Sequence, residues 1–248
     1  MFWLLPLALL GLLLYWELVI AEGVHLGPRV VIGLYDLAAP RYERIKKFDD
    51  AVEDEILGQP LMEALIEVEA PRVLDVAAGT GRVARTLLRQ TAFDGVIVNL
   101  DPSRRMVEYG RKQTALWPGC DHWLRGAAQS LPFADAAFDA VTCLEALEFF
   151  PDARAALAEC VRVLRPGGLL VITNRVGYDA ILIPDKTFSR RAFQRLLAEF
   201  PLEAMRVHRW QVDYDLAWAR KRSECESMGA GVFPPLLCVL FRTGEGPG

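Results

Sequence analysis

Nine residues constrain this chain more than any others. Val73-Leu74-Asp75-Val76-Ala77-Ala78-Gly79-Thr80-Gly81 reads as a short apolar strand that runs into a glycine turn and opens a helix. Glycine at 79 and 81 removes the Cβ atoms that would hold a ligand off the backbone. The helix that follows offers unpaired N–H groups to a polar or anionic group. Twenty residues beyond Gly81, Asp101 closes a second apolar run, Val96 to Leu100. A carboxylate there can accept both hydroxyls of a ribose, so the pair of features predicts a nucleoside-containing cofactor. Gly79 to Ala84 also fits the G-x-G-x-x-A fingerprint of dinucleotide sites. Two features oppose that choice. Asp75 at the strand end would repel a pyrophosphate but suits a cationic amino-acid group, and no Tyr-x-x-x-Lys follows the loop. Tyr42 and Lys46 match that spacing but precede it.

Around the loop, apolar strands alternate with amphipathic helices. Strands are expected at Val73–Ala77, Val96–Leu100, Phe138–Leu144 and Leu169–Asn174, the last after a Pro166-Gly167-Gly168 turn. Helices are expected near 82–89, 104–112, 153–164 and 189–199, and a strand pair over 204–221 ends the pattern. Such alternation predicts an α/β fold, a parallel sheet with helices on both faces. With 248 residues, 52% hydrophobic and 24% charged, the chain can bury a large core, which excludes a disordered or low-complexity protein. Its net charge of −4 supplies no global basic field, so nucleic acid is not an expected partner. The five cysteines, 120, 143, 160, 225 and 238, form no C-x-x-C pair. They read as reduced thiols and not as a metal site or disulfide frame.

The N-terminus is of another character. Phe2 to Ala21 is apolar except for Glu17, and as a helix it would be roughly 30 Å long, about one hydrocarbon core. A secretory signal would need a basic start, yet no Lys or Arg precedes Arg29. A membrane-spanning or deeply inserted anchor is expected, with a shallow in-plane helix or a buried core helix as the alternatives. Arg29, Arg41, Arg44, Lys46 and Lys47 follow the segment, which puts the body of the protein on the cytoplasmic side. The expected organisation is an anchor over 1–22, a connector and lid over 23–60, a cofactor domain over 61–222 and a tail over 223–248 with one apolar patch, Pro234 to Phe241.

From Tyr35 to Lys221 the chain resembles the seven-stranded class I S-adenosylmethionine-dependent methyltransferases, of the type 11-like kind. VLDVAAGTGRVA is similar to their first motif, with Ala77 where many members carry a glycine. NLDPSRRMV resembles the second, which implies Asp101 on the ribose with Pro102, Ser103 and Met106 around it. The stretch from Gly126 to Asp152 resembles the adenine site and fourth strand, including Leu144. Many members have Asp where this chain has Ala127, so Ala128 N–H or Gln129 is left to read the base edge. VLRPGGLLVITN is similar to the turn and strand that follow. YDLAAPRY resembles a lid that brings Tyr35 and Tyr42 over the cofactor. The resemblance implies a Rossmann-like seven-stranded sheet, with S-adenosylmethionine held by Asp75, Ala77, Gly79, Thr80 and Gly81 besides the residues above.

Methyl transfer from a sulfonium is an in-line displacement that alignment alone can accelerate. An oxygen or carbon nucleophile calls for a base as well. Glu145 and Glu148, after the fourth strand, are the candidates: Glu145 toward the cofactor and Glu148 toward substrate, or both as solvated acids at a helix start. His25 reads as an interfacial polar residue, and His122 and His208 as surface residues. Phe149, Phe150, Trp210, Tyr214 and Trp218 read as core, with a greasy acceptor pocket as the sharper alternative. The expected protein is a methyltransferase acting on a small lipophilic acceptor at the cytoplasmic face of a membrane, touching lipid through residues 2–21. A tethered cofactor-binding scaffold without turnover is the alternative.

Overall fold

The computed structural model describes residues 4–223. Phe2, Trp3, Cys225, Cys238 and the expected patch at 234–241 lie outside the described residues. The chain begins with α1 (Leu4–Tyr15), a π-helical turn (Trp16–Ile20), α2 (Pro28–Ala38), α3 (Tyr42–Lys46), α4 (Asp50–Glu53) and α5 (Gln59–Leu65). Then β1 (Arg72–Val76), α6 (Arg82–Leu88), β2 (Val96–Asp101), α7 (Arg104–Gln113), β3 (Asp121–Arg125) and β4 (Phe138–Cys143) follow. The domain closes with α8 (Ala153–Val163), β5 (Leu164–Arg175), α9 (Gly177–Leu182), α10 (Arg190–Ala198), β6 (Leu202–Trp210) and β7 (Tyr214–Lys221).

The seven strands lie in the order β3-β2-β1-β4-β5-β7-β6. β1 to β5 pair in parallel, and β7 runs antiparallel to both β5 and the edge strand β6. Alternation along the central strands sends successive side chains to opposite faces. Val73, Ile97, Ala140 and Val171 meet α5 and α6 on one face. Leu74, Leu100, Val141 and Leu170 meet α8 and α10 on the other. Helix starts follow from local chemistry: Ser103, Asp152 and Ser189 each accept a backbone N–H from the first turn of α7, α8 and α10. The strand order reverses between β1 and β4, and open α/β sheets bind ligands at the carboxyl ends of strands at such a switch.

Three expectations need correction. The strand β3 has only Trp123 buried among its five residues, so its sequence carries no apolar alternation. It is a charged edge strand. β5 starts at Leu164, and the Pro166-Gly167-Gly168 turn lies within it as an irregularity in the β4 pairing. The N-terminal segment forms no single long helix. α1 has twelve residues, about 18 Å at 1.5 Å per residue, and no helix of the described residues is long and apolar enough to cross a membrane. The reason lies in residues 16–25. Trp16 Nε1 donates to Leu182 O at 3.0 Å, His25 stacks on Trp16, and Glu17 is buried where its carboxylate meets the His25 ring and backbone N–H at 3.0 and 3.1 Å. Ala21, Val24 and Ile183 close over this joint. The last third of the apolar run is therefore folded against α9 and the turn after it, while every side chain of α1 is left uncovered.

Candidate functional site

At the carboxyl ends of β1, β2 and β4 the sheet opens into a cavity. Tyr35, Tyr42, Ala77, Gly79, Asp101, Pro102, Ser103, Ala127, Ala128, Gln129, Leu144 and Glu145 all line it. Asp75 and Thr80 line an adjoining cleft that shares Tyr42, Ala77, Gly79, Leu144 and Glu145 with the cavity. The remaining expected residues lie elsewhere. Gly81 caps α6 with φ near +87°, and a Cβ there would come within 2.9 Å of the Trp123 ring. Met106 is buried in the core below α7, with only its backbone N–H bonded to Ser103 Oγ.

Asp101 ties the loop to the sheet. Its Oδ2 accepts the Gly79 N–H at 2.9 Å and its Oδ1 the Ser103 N–H at 2.8 Å. Each oxygen keeps a second acceptor position for a hydroxyl. Asp75 Oδ1 accepts from Thr142 Oγ1 at 2.7 Å. Burial pushes both Asp75 and Asp101 up to about 7. Three residues lining the cavity have left-handed backbones: Ala77 (φ 57°), Gly79 (φ 55°) and Glu145 (φ 51°). Strain of this kind gathers at ligand sites. Ala77 occupies a conformation that glycine adopts without penalty, so Ala77→Gly is expected to leave the fold intact and to raise stability by up to about 1 kcal/mol. A thermal melt reads this as a rise of a few degrees at most.

The connector is fastened over the cavity by charge. Asp36 accepts from Ser103 Oγ and the Arg105 N–H, and Glu43 pairs with Arg85 and Thr80. Lys46 reaches Glu145 at 2.7 Å, and Arg82 reaches Glu145 at 2.6 Å and Glu53 at 2.6 Å. Burial opposes the Glu145 charge, yet Lys46 and Arg82 hold its carboxyl below the usual range. Burial holds the Tyr42 phenol up at about 12.

Glu148 is not solvated, which corrects that expectation for it. It lies outside the cavity lining and is only 2% exposed, with Arg175 Nε at 2.8 Å and the Tyr214 hydroxyl donating at 3.1 Å. Burial raises its carboxyl and Arg175 counters. The aromatic group divides: Phe149 and Phe150 line the cavity, whereas Trp210, Tyr214 and Trp218 pack in the core. Sequence reasoning missed Pro28, Val31 and Ile32, which form the apolar cavity wall from α2. The signal was there as an apolar stripe, since Val31 is the one buried residue of that helix.

A family profile described as a methyltransferase domain matches residues 74–172, the span from β1 into β5. The chain resembles that domain over this span. It is 38% identical over 139 residues to a demethylmenaquinone methyltransferase of Thermotoga maritima, covering 56% of this chain and 58% of that one. It is 36% identical over 171 residues to the ubiquinone/menaquinone biosynthesis C-methyltransferase UbiE of Geobacter sulfurreducens, covering 68% and 63%. The chain thus spans about three-fifths of the length of these curated relatives. Among solved structures, the [4+2]-cyclase SpnF superposes with a TM-score of 0.66 at 18% identity, over 79% of this chain and 97% of that one. That likeness shows the fold alone, a fold able to host more than one chemistry.

A methyltransferase domain of this kind uses S-adenosylmethionine as methyl donor, and the residues here fit it. Asp101, with an open acceptor position on each oxygen, could hold a ribose, and Asp75 could answer an ammonium. Gln129 Nε2 is buried without a hydrogen-bond partner in the cavity wall, as a reader of a base edge would be before its ligand arrives. A side-chain amide can meet an adenine edge with both its donor and its acceptor. Gln129 could thus take over the contact that a carboxylate at 127 would make.

Proposed function

We propose that this chain is an S-adenosylmethionine-dependent methyltransferase whose acceptor is a small lipophilic aromatic of the quinol type, met at a membrane surface. One observation carries the reading. The cavity that gathers Gly79, Asp101 and Gln129 continues into a wall of Pro28, Val31, Ile32, Phe149, Phe150 and Pro151. Such a wall suits a flat apolar ring and offers nothing to a phosphate backbone. The names of the quinone-methylating relatives support the same class of acceptor.

The membrane part of the proposal rests on α1. Leu4, Leu5, Leu7, Leu9, Leu10, Leu12, Leu13 and Leu14 are all exposed, and α2, which builds the cavity wall, follows shortly after. Burying one leucine side chain is favourable by about 1.5–3 kcal/mol, so eight of them supply ample attraction to an acyl-chain boundary. The basic residues after α1 put the domain on the cytoplasmic face in this proposal.

The test is methyl transfer in anionic phospholipid vesicles containing a demethylated naphthoquinol, with the full-length chain and labelled methyl donor. Label is expected in the quinol. Leu9→Glu with Leu12→Glu should cut vesicle retention and transfer together by at least about tenfold, while S-adenosylhomocysteine binding stays as it was. Transfer confined to water-soluble phenols, or equal rates for the two proteins, would refute the lipophilic reading.

A further inference from the structure

One polar cluster reaches the cavity wall through Tyr35. Tyr35 lines the cavity, and its hydroxyl donates to Glu22 Oε2 at 2.8 Å. Glu22 Oε1 accepts from Arg175 Nη2 at 3.3 Å, and Arg175 Nε meets Glu148 at 2.8 Å. Glu22 is presented by two successive left-handed residues, itself at φ 52° and Gly23 at φ 74°. Gly23 is pressed against α2 so closely that a Cβ would come within 2.9 Å of Leu34 and Val30. The turn, wedged on α2, thus holds a carboxylate against the Tyr35 phenol, whose ring meets Phe149 edge-on at 5.6 Å.

We propose that Tyr35 is a catalytic proton relay at the acceptor end of the cavity and that Glu22 is its positioning and proton-accepting partner. The proposal rests on the reading of the acceptor as an aromatic hydroxyl compound. The acceptor O–H bond breaks and its proton moves to Tyr35 Oη, while the Tyr35 proton moves to Glu22 Oε2. The electron pair left on the acceptor oxygen delocalises into the ring and makes the adjacent carbon nucleophilic. The cluster keeps its net charge throughout: Glu22 becomes neutral as the acceptor becomes an oxyanion, and Arg175 remains to balance it. Burial, and then the Glu22 charge, hold the Tyr35 phenol well above its ordinary value, so it carries its own proton before the relay begins. The charged and titratable groups around Glu22 are Tyr35 and Tyr42 from the lid side, Lys46 from α3, Arg175 from β5 and Glu148 after β4, with Tyr214 from β7 bonded to Glu148 and Arg175 behind them.

The experiment compares 1-naphthol with its methyl ether, 1-methoxynaphthalene, by fluorescence titration of the full-length protein without methyl donor. Wild type should prefer the naphthol by up to about tenfold, the worth of one hydrogen bond to the neutral Tyr35 hydroxyl. Tyr35→Phe should abolish that preference and Glu22→Gln should reduce it severalfold. Turnover of Glu22→Gln should fall at neutral pH and recover as pH approaches the acceptor's own ionisation, because the acceptor then arrives deprotonated. An unchanged S-adenosylhomocysteine isotherm for Glu22→Gln establishes that this variant is folded. Equal binding of both probes by wild type, a preference that survives Tyr35→Phe, or a turnover loss independent of pH would overturn the relay while leaving the acceptor class standing. Binding of neither probe would overturn the aromatic-acceptor reading and the relay with it.

Discussion

Asp75→Asn is expected to make the ligand-free protein more stable at pH 8 and at the same time to weaken its hold on S-adenosylmethionine. Asp75 is 2% exposed, and burial raises its carboxyl to about 7, with Asp101 adding to the rise and Thr142 and Arg82 opposing it. An unfolded aspartate titrates near about 3.9. Between about 4 and about 7 the native protein therefore keeps a proton that the unfolded chain has released. Stability falls as pH rises through that window, and above it the whole cost is present. At about 1.4 kcal/mol per pH unit the cost is at most about 4 kcal/mol. Asparagine carries no charge and can still accept from Thr142 Oγ1, so it escapes the cost without losing that bond. It also loses the charge that answers an ammonium, for which a loss of roughly 1–3 kcal/mol in binding is expected, ten- to hundredfold in affinity. Wild-type affinity should rise from pH 6 to pH 8 with release of a proton, while the variant's affinity stays flat. Thermal melts and calorimetric titration across that range check both halves. A variant that binds as tightly as wild type at pH 8 would remove Asp75 from the cofactor site.

Asp75 explains why so much of the site was legible in the sequence. A strand that ends in an acid, a turn with glycines at fixed spacing and a second acid twenty residues on are all local in the chain. Local patterns survive reading because each element's geometry is set by its own residues, as the Ser103, Asp152 and Ser189 caps are. The strand β3 escaped because an edge strand with one buried residue has no period to read. The cluster of Tyr35, Glu22, Arg175 and Glu148 escaped for a different reason. Glu22 and Arg175 lie 153 residues apart, and no propensity links them. Glu148 looked like a helix-start acid because the sequence places it there, but the fold buries it against an arginine from another strand. The apolar N-terminal run was legible as apolar and not as a length. Its last third is held against α9 and the turn after it by Trp16 and by His25, which Glu17 orients and whose partner Pro184, like Leu182 for Trp16, is more than 150 residues away.

The same separation in sequence makes Arg82 the residue whose loss should cost the fold most. Its guanidinium is bidentate to Glu53, with contacts of 2.6 and 2.8 Å, and takes Glu145 at 2.6 Å. It lies 4.6 Å from the centres of the Phe48 and Trp210 rings, so three segments of the connector and the domain meet on one side chain. Burial opposes the Arg82 charge, and Glu53 and Glu145 still hold its pKa above the ordinary value. Arg82→Met keeps the packing stem and removes the charge. It leaves Glu53, 5% exposed, as a buried acid facing no cation from α6. Breaking a buried pair from one side costs about 3–5 kcal/mol, because the surviving charge stays desolvated. For a chain of this size that is a fall in Tm of roughly 10 °C. Glu145 keeps Lys46, so the stranded group is Glu53, and adding Glu53→Leu to Arg82→Met should recover more than half of the loss. Recovery by the second substitution separates the electrostatic account from simple loss of packing, which a further truncation would make worse. A single variant that melts within 2 °C of wild type, an effect of about 1 kcal/mol or less, would show that the lid is held on by its apolar contacts and that the ion pairs only set its position.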